Sequence, residues 1–275
     1  MTLKTASVLT LAVLATLTGW GTAFAQTEAP AAAPAEAAAA PTPDYTLAYN
    51  VGVVTDYRYR GLSQSSKDPA LQGGIDFTHK SGFYLGTWGS TIHWTQDDAK
   101  VYGLNPGATD SGSNHVEIDI YGGYKGQISK DLSYDVGLLQ YWYPRNKYQN
   151  ITQSANANTL EIYGALTYSL FTLKYSNSLT NIFGFVDSKN SGYVDLSANL
   201  DLGSGFSLTP HVGHQTIKGT PASDYTDYAL ALNKDFGNGF SASATLVGTS
   251  THAYVTSSGA NKGGTGLVLG AKYTF

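Results

Sequence analysis

The sequence predicts an all-β fold: a transmembrane, up-and-down antiparallel β-barrel of about 12 strands, with short periplasmic turns and longer extracellular loops. Three observations predict it. In the last stretch, Leu267, Leu269, Ala271, Tyr273 and Phe275 share one face, while Gly266, Val268, Gly270, Lys272 and Thr274 share the other. That is period two, the pattern of a strand with one apolar face. Short turns and longer polar loops alternate strictly from Tyr45 to the end. Charged residues make up only 13% of the chain, which holds 31 Gly and 20 Tyr, and nothing after residue 25 has the long apolar run of a membrane helix.

Residues 1–25 read as a secretory signal. Lys4 gives the positive start, Val8 to Leu17 the short apolar core, and Ala23-Phe24-Ala25 the small-residue site, with cleavage between Ala25 and Gln26. Residues 26–43 are Ala and Pro with two Glu. Pro30, Pro34, Pro41 and Pro43 interrupt any helix and no face is apolar, so a disordered linker is expected there. The barrel domain is assigned to residues 44–275.

Within it, short turns fall at His79–Gly82, Gln127–Asp131, Ser169–Leu170, Gly203–Gly205 and Gly237–Gly239. Longer loops fall at Gly61–Asp68, Thr95–Asn114, Pro144–Asn158, Asn181–Ser191, Lys218–Ser223 and Ala253–Lys262. An even strand count places both ends on the periplasmic side. Three turns repeat one signature: Ser81-Gly82-Phe83, Ser204-Gly205-Phe206 and Asn238-Gly239-Phe240. Glycine supplies the unusual dihedrals of a tight turn, and the Phe opens an apolar strand face. These Phe residues, with Phe171, are expected to form the inner aromatic girdle. Trp94, Trp142, Tyr143 and Tyr59 are expected near the outer one. The closing strand must pair with the first, because lipid cannot satisfy an open sheet edge. Its Tyr273 and Phe275 are the expected C-terminal signal to the barrel assembly machinery.

Side chains alternate across each strand, so parity sorts them into lipid and lumen sets. The lumen set holds Asp56, Asp76, Glu117, Asp119, Asp135, Glu161, Asp195 and Asp227 against Arg58, Arg60, Lys125, Lys174 and Lys272. These are the pore-lining candidates. The acid excess fits either a mild cation preference or a network of interior ion pairs that rigidifies a narrow barrel. Arg58 and Arg60, beside Asp56 and opposite Asp76, either fix the loop Leu62–Asp68 over the opening or form a constriction for solute.

Several chemistries have no support. The net charge is −4, and −5 without the first 25 residues, whose sole charge is Lys4; nucleic-acid binding needs a basic footprint instead. There is no cysteine, hence no disulfide and no thiol nucleophile. His211 and His214 are three apart on a strand pattern and point to opposite faces, so no shared metal ion is expected. No phosphate loop and no nucleophile elbow occurs, and no cofactor is implied. A barrel-borne lipid hydrolase using His93 or His252 with a serine lacks any residue spacing that fixes the pair.

The run Asp56-Tyr-Arg-Tyr-Arg-Gly-Leu-Ser-Gln64, the run Pro69-Ala-Leu-Gln-Gly73 and the run Gly86-Thr-Trp-Gly89 closely resemble the TorF family of porins. The similarity extends through Glu117–Tyr124 to Phe275. It implies an outer-membrane barrel of the porin kind and no assigned substrate. The expected function is passive diffusion of small hydrophilic solutes or ions, with outer-membrane lipid around the wall. The alternative is a closed barrel acting through its extracellular loops as a structural or adhesive protein. With strands accounting for the whole mature chain, no plug domain of the kind an energised transporter needs is expected, and no stretch identifies an oligomer interface.

Overall fold

A computed structural model describes residues 43–275. The expected signal peptide (1–25) and nearly all of the expected linker (26–43) lie outside the described residues. Twelve antiparallel strands form one closed sheet. They are β1 (Tyr45–Val54), β2 (Ala70–His79), β3 (Phe83–Thr91), β4 (Val116–Ser129), β5 (Leu132–Trp142) and β6 (Thr159–Tyr168). Then follow β7 (Phe171–Ser178), β8 (Gly192–Ala198, continued as Leu200–Gly203), β9 (Phe206–Thr216), β10 (Tyr225–Gly237), β11 (Phe240–Thr249) and β12 (Gly266–Thr274). Each strand pairs with its sequence neighbours, and β12 returns to β1 with Val51 opposite Tyr273 and Val53 opposite Ala271. No ladder edge is left open, as lipid requires.

The period-two pattern maps onto inside and outside. In β7, Phe171, Leu173 and Tyr175 are exposed while Thr172, Lys174, Ser176 and Ser178 are buried. The same outward apolar row occurs in β8 (Val194, Leu196), β10 (Tyr228, Leu230, Leu232) and β12 (Leu267, Leu269, Tyr273). A continuous apolar surface of this extent suits a bilayer and not water. Phe83, Phe171, Phe206 and Phe240 sit exposed at the short-turn end, joined by Phe236, Tyr273 and Phe275.

The repeated Gly-Phe turn has a structural cause. Gly82 and Gly239 have φ of +99° and +80°. An added Cβ would lie 2.1 Å from the Lys125 carbonyl at Gly82 and 2.0 Å from the Thr274 carbonyl at Gly239. Each glycine carbonyl accepts a hydrogen bond from the same facing residue, Lys125 at 3.0 Å and Thr274 at 2.8 Å. The turn thus clips onto the strand beyond its own hairpin, and only glycine lets the backbones come that close.

Glycine and tyrosine abundance share another reason. The Tyr121 ring lies where a Cβ on Gly86 would project, and Tyr193 occupies the same position over Gly213. Bulky rings inside a narrow barrel need a bare backbone on the facing strand.

The second long loop departs from the sequence reading. It contains α1 (Trp94–Tyr102), ended by Gly103 with φ +76° and held at its start by the Gln64 carbonyl, which accepts from His93 and Trp94 at 2.8 and 3.1 Å. Three expected outer-girdle aromatics are also placed differently. Tyr59, Trp94 and Tyr143 are buried in an interior cluster with Tyr57, Tyr141 and Tyr148, and only Trp142 faces outward. Parity along a strand says nothing of residues in loops that fold inward.

Candidate functional site

The first long loop, residues 55–69, does not stand above the barrel. It turns into the lumen as a hairpin in which Arg58–Tyr59 pairs with Leu62–Ser63. Arg60 and Gly61 form its tip, with φ of 45° and 77°. The expectation that strands account for the whole mature chain is therefore corrected: this loop hairpin occupies the lumen, although it is not a separate plug domain. Arg58 and Arg60 lie beyond the end of β1, so they are inside the barrel by loop folding and not by strand alternation.

The hairpin is braced at its base. Arg58 Nε meets Asp56 Oδ2 at 2.5 Å, and its Nη1 donates to the carbonyls of Gly61 (2.9 Å), Lys262 (2.9 Å) and Gly264 (3.1 Å). Ser63 Oγ donates to Asp56 Oδ1 at 2.6 Å. Asp76 takes no part in this cluster, contrary to the sequence reading; its Oδ1 accepts from Tyr121 Oη at 2.5 Å.

From that base the hairpin crosses the lumen. Tyr57 Oη donates to Glu117 of β4 at 2.5 Å, and Tyr143 donates to the other oxygen at 2.7 Å. Tyr59 Oη donates to Tyr141 of β5 at 2.8 Å. Arg60 reaches β6, β8 and β9. Its Nη2 lies 2.8 Å from Glu161 Oε2, its Nη1 donates to Gln215 Oε1 at 2.6 Å, and its guanidinium sits 4.1 Å from the Tyr193 ring centre. Gly61 abuts the opposite wall, where a Cβ would meet Thr249 at 2.5 Å and Asp227 at 2.8 Å. Glu117, Glu161 and Arg60 are only 1%, 2% and 3% exposed, so this level is a packed layer and not an open water path. A buried charge persists only when paired and hydrogen-bonded, and Arg60 and Glu161 are both.

The remaining candidates lie on the inner face. Asp195 and Asp227 flank His211, 2.9 Å from Nδ1 and 2.7 Å from Nε2, and Tyr193 Oη donates to Asp227 at 3.0 Å. His214 instead meets Thr226 on the outer side. Asp119 is buried, and its Oδ1 has no hydrogen-bond partner among the described residues. Lys174 lies 4.2 Å from the Tyr163 ring centre. Nearer the short turns, Asp135 accepts from Tyr84 at 2.6 Å, Tyr84 and Tyr163 share a hydrogen bond, and Lys125 stands 5.7 Å over the Tyr84 ring. Asp76, Lys125, Asp135 and Lys272 are only half-buried, so solvent reaches the inner face below the packed layer. His211 and the interior tyrosines were not singled out as site residues from sequence; the parity of Gln215, Gly213 and His211 on β9 was the available signal.

Above the layer the other loops close into a rim around a cavity of about 690 Å³. Lys262 Nζ pairs with Asp98 at 2.6 Å, and Asp98 also accepts from Tyr148 at 2.7 Å. Ser66 of the first loop is hydrogen-bonded to Asp97 of α1. Burial raises the Asp97 carboxyl pKa, but hydrogen bonds from Ser66 and Ser257 and the Lys262 charge outweigh it, so the net shift is below the ordinary carboxylate value. A carboxylate depressed in the folded state contributes stability above its unfolded pKa and loses it as pH falls through the folded one. The contact between the first loop and α1 is thus expected to hold at neutral pH and to loosen below the ordinary carboxylate range. Hydrogen exchange of the amides at 65–68, corrected for intrinsic rate, should accelerate there in the wild type and show no such step in Asp97→Asn.

The barrel is similar in fold to solved outer-membrane porins. The KdgM porin, solved in complex with disordered oligogalacturonate, aligns at a TM-score of 0.51 and 8% identity, over 83% of this chain and 98% of that one. The NanC porin aligns at 0.51 and 10% identity, over 84% and 99%. At such identities the likeness is one of fold. No curated protein matches the sequence. A family profile described as a bacterial protein of unknown function matches residues 37–272, and the chain belongs to that family, Gcw_chp.

Proposed function

We propose that this porin-like barrel is an outer-membrane channel for passive diffusion of small hydrophilic solutes or ions, opened when the first-loop hairpin leaves its seat. The carrying observation is the hairpin itself: Arg60 sits in the lumen between Glu161, Gln215 and Tyr193, with an outer cavity above and solvent-accessible inner-wall charges below. Charges and hydroxyls on the inner wall lower the cost of moving polar solutes, while the outer wall is apolar. Glu117 is held by two tyrosine hydroxyls and not by a base, and Asp119 keeps an unpartnered oxygen. This acid excess at the layer supports a mild cation preference. The TorF-like first hairpin, the expected cleavage after Ala25 and the outward Tyr273 and Phe275, as a signal to the assembly machinery, belong to the same reading.

The packed layer also favours a second reading, a closed barrel that acts through its outer loops. Planar-bilayer recording of the mature protein under a salt gradient separates the two. Discrete steps with a cation-selective reversal potential are expected. A correctly folded barrel that gives no steps, even with the hairpin residues 57–63 removed, leaves the second reading standing.

A further inference from the structure

We infer that the cavity above the packed layer is a preformed binding site for a short, uncharged oligosaccharide; the inference rests on the channel reading only in making this ligand the solute that enters. Four features carry it.

The first is size and enclosure. About 690 Å³, bounded by all six long loops, lies within the range of small-ligand sites. The second is rigidity. The loops are tied to one another: Thr152 N–H donates to Gly103 O at 3.0 Å, Ala155 N–H to Gly184 O at 2.7 Å, and bridges join Leu104 to Ile151 and Ser154 to Phe185. A rim already ordered loses little conformational freedom when a ligand enters.

The third is the aromatic lining. Trp94 packs edge-on to Tyr143 and tilted against Tyr148, each 5.2 Å away, as a buried backing, while Tyr102, Phe183, Phe185 and Tyr254 are the lining rings with exposed surface. Tyr254 lies 5.6 Å from Tyr225 and 6.5 Å from Phe185. Phe183 lies 5.2 Å from Tyr59, on the hairpin that floors the cavity. Aromatic faces carry negative charge density and attract the weakly positive C–H face of a sugar ring.

The fourth is charge. Asp98 and Lys262 are the charged residues of the lining, and they neutralise each other at 2.6 Å. An anionic or cationic solute would find no net counter-charge. The other polar groups are neutral hydroxyls and amides, such as Gln153, Ser154, Thr220 and Gln64. A purely aromatic solute would satisfy the rings and leave these groups unpaired, which disfavours it. A ring compound with an apolar face and many hydroxyls satisfies both.

The test uses the mature protein in detergent micelles and follows intrinsic tryptophan fluorescence, to which Trp94 contributes. Neutral α- and β-linked tetrasaccharides are titrated alongside tetragalacturonate and a chitosan tetramer as charged controls. Saturable quenching by at least one neutral sugar is expected, with both charged ones at least about tenfold weaker. Tyr102 is half exposed and lines the cavity, so Tyr102→Ala should fold normally yet weaken binding roughly tenfold, a typical cost of losing an aromatic contact. Gln153→Ala should weaken it less. Preference for a charged sugar, or no saturable binding by any neutral sugar, overturns the inference. Binding without any bilayer conductance leaves the site standing and removes the channel; conductance without binding does the reverse.

Discussion

Replacing Arg60 with alanine is expected to raise the mean current through the barrel at fixed voltage by at least about tenfold, with little loss of barrel stability. The substitution removes the ion pair to Glu161, the hydrogen bond to Gln215 and the stacking on Tyr193 together. Breaking a buried pair by removing one partner costs about 3–5 kcal/mol, because the other charge stays buried and alone. Here that cost falls on the seated hairpin and not on the barrel, whose ladder hydrogen bonds are untouched. Every 1.4 kcal/mol changes a two-state ratio about tenfold, so even half of that loss shifts the hairpin strongly toward release. Arg60→Lys keeps the charge but loses the guanidinium fork, so its current should lie between the two. Currents from Arg60→Ala that match the wild type in step size and open time would show that the hairpin does not control the lumen.

The largest stability effect is expected at a turn. Gly239→Ala should lower barrel stability by about 2–3 kcal/mol, from the left-handed dihedral and the lost hydrogen bond from the Thr274 N–H. Its Cβ would stand 2.0 Å from the Thr274 carbonyl, and Thr274 ends the strand that closes on β1. Gly237 is the matched control. Its φ is +78°, but nothing lies within 4 Å of an added Cβ. Gly237→Ala should therefore cost only about 1 kcal/mol, the backbone term alone. Urea unfolding in micelles measures both. Equal midpoints for the two variants would mean that the clip between the turn and Thr274 carries no energy.

How much of this was legible follows from particular residues. Leu173 and Lys174 could be assigned to opposite sides of the wall from the chain alone, because alternation is a property of each strand. The same holds for His211 inside and His214 outside. The even strand count followed from five short turns alternating with six long loops, three of the turns written in glycine. Arg60 was legible as an inward charge, yet for a reason that does not apply, since β1 ends at Val54. Tyr59, Trp94 and Tyr143 read as interfacial aromatics because that is where such residues usually stand in barrels. They are interior because their loops fold down and cover one another.

What the chain by itself determined is therefore the wall: period, turns and the apolar outer belt depend on near neighbours in sequence, and closure, which pairs Val51 with the distant Tyr273, follows because lipid cannot satisfy an open sheet edge. What only the tertiary structure decided is the filling. Arg60 meets Glu161 across 101 residues, Arg58 meets the Lys262 carbonyl across 204, and Lys262 meets Asp98 across 164. No local pattern encodes such pairings. They exist because a closed wall brings distant loops to one mouth, where buried charges are stable only if each finds the other.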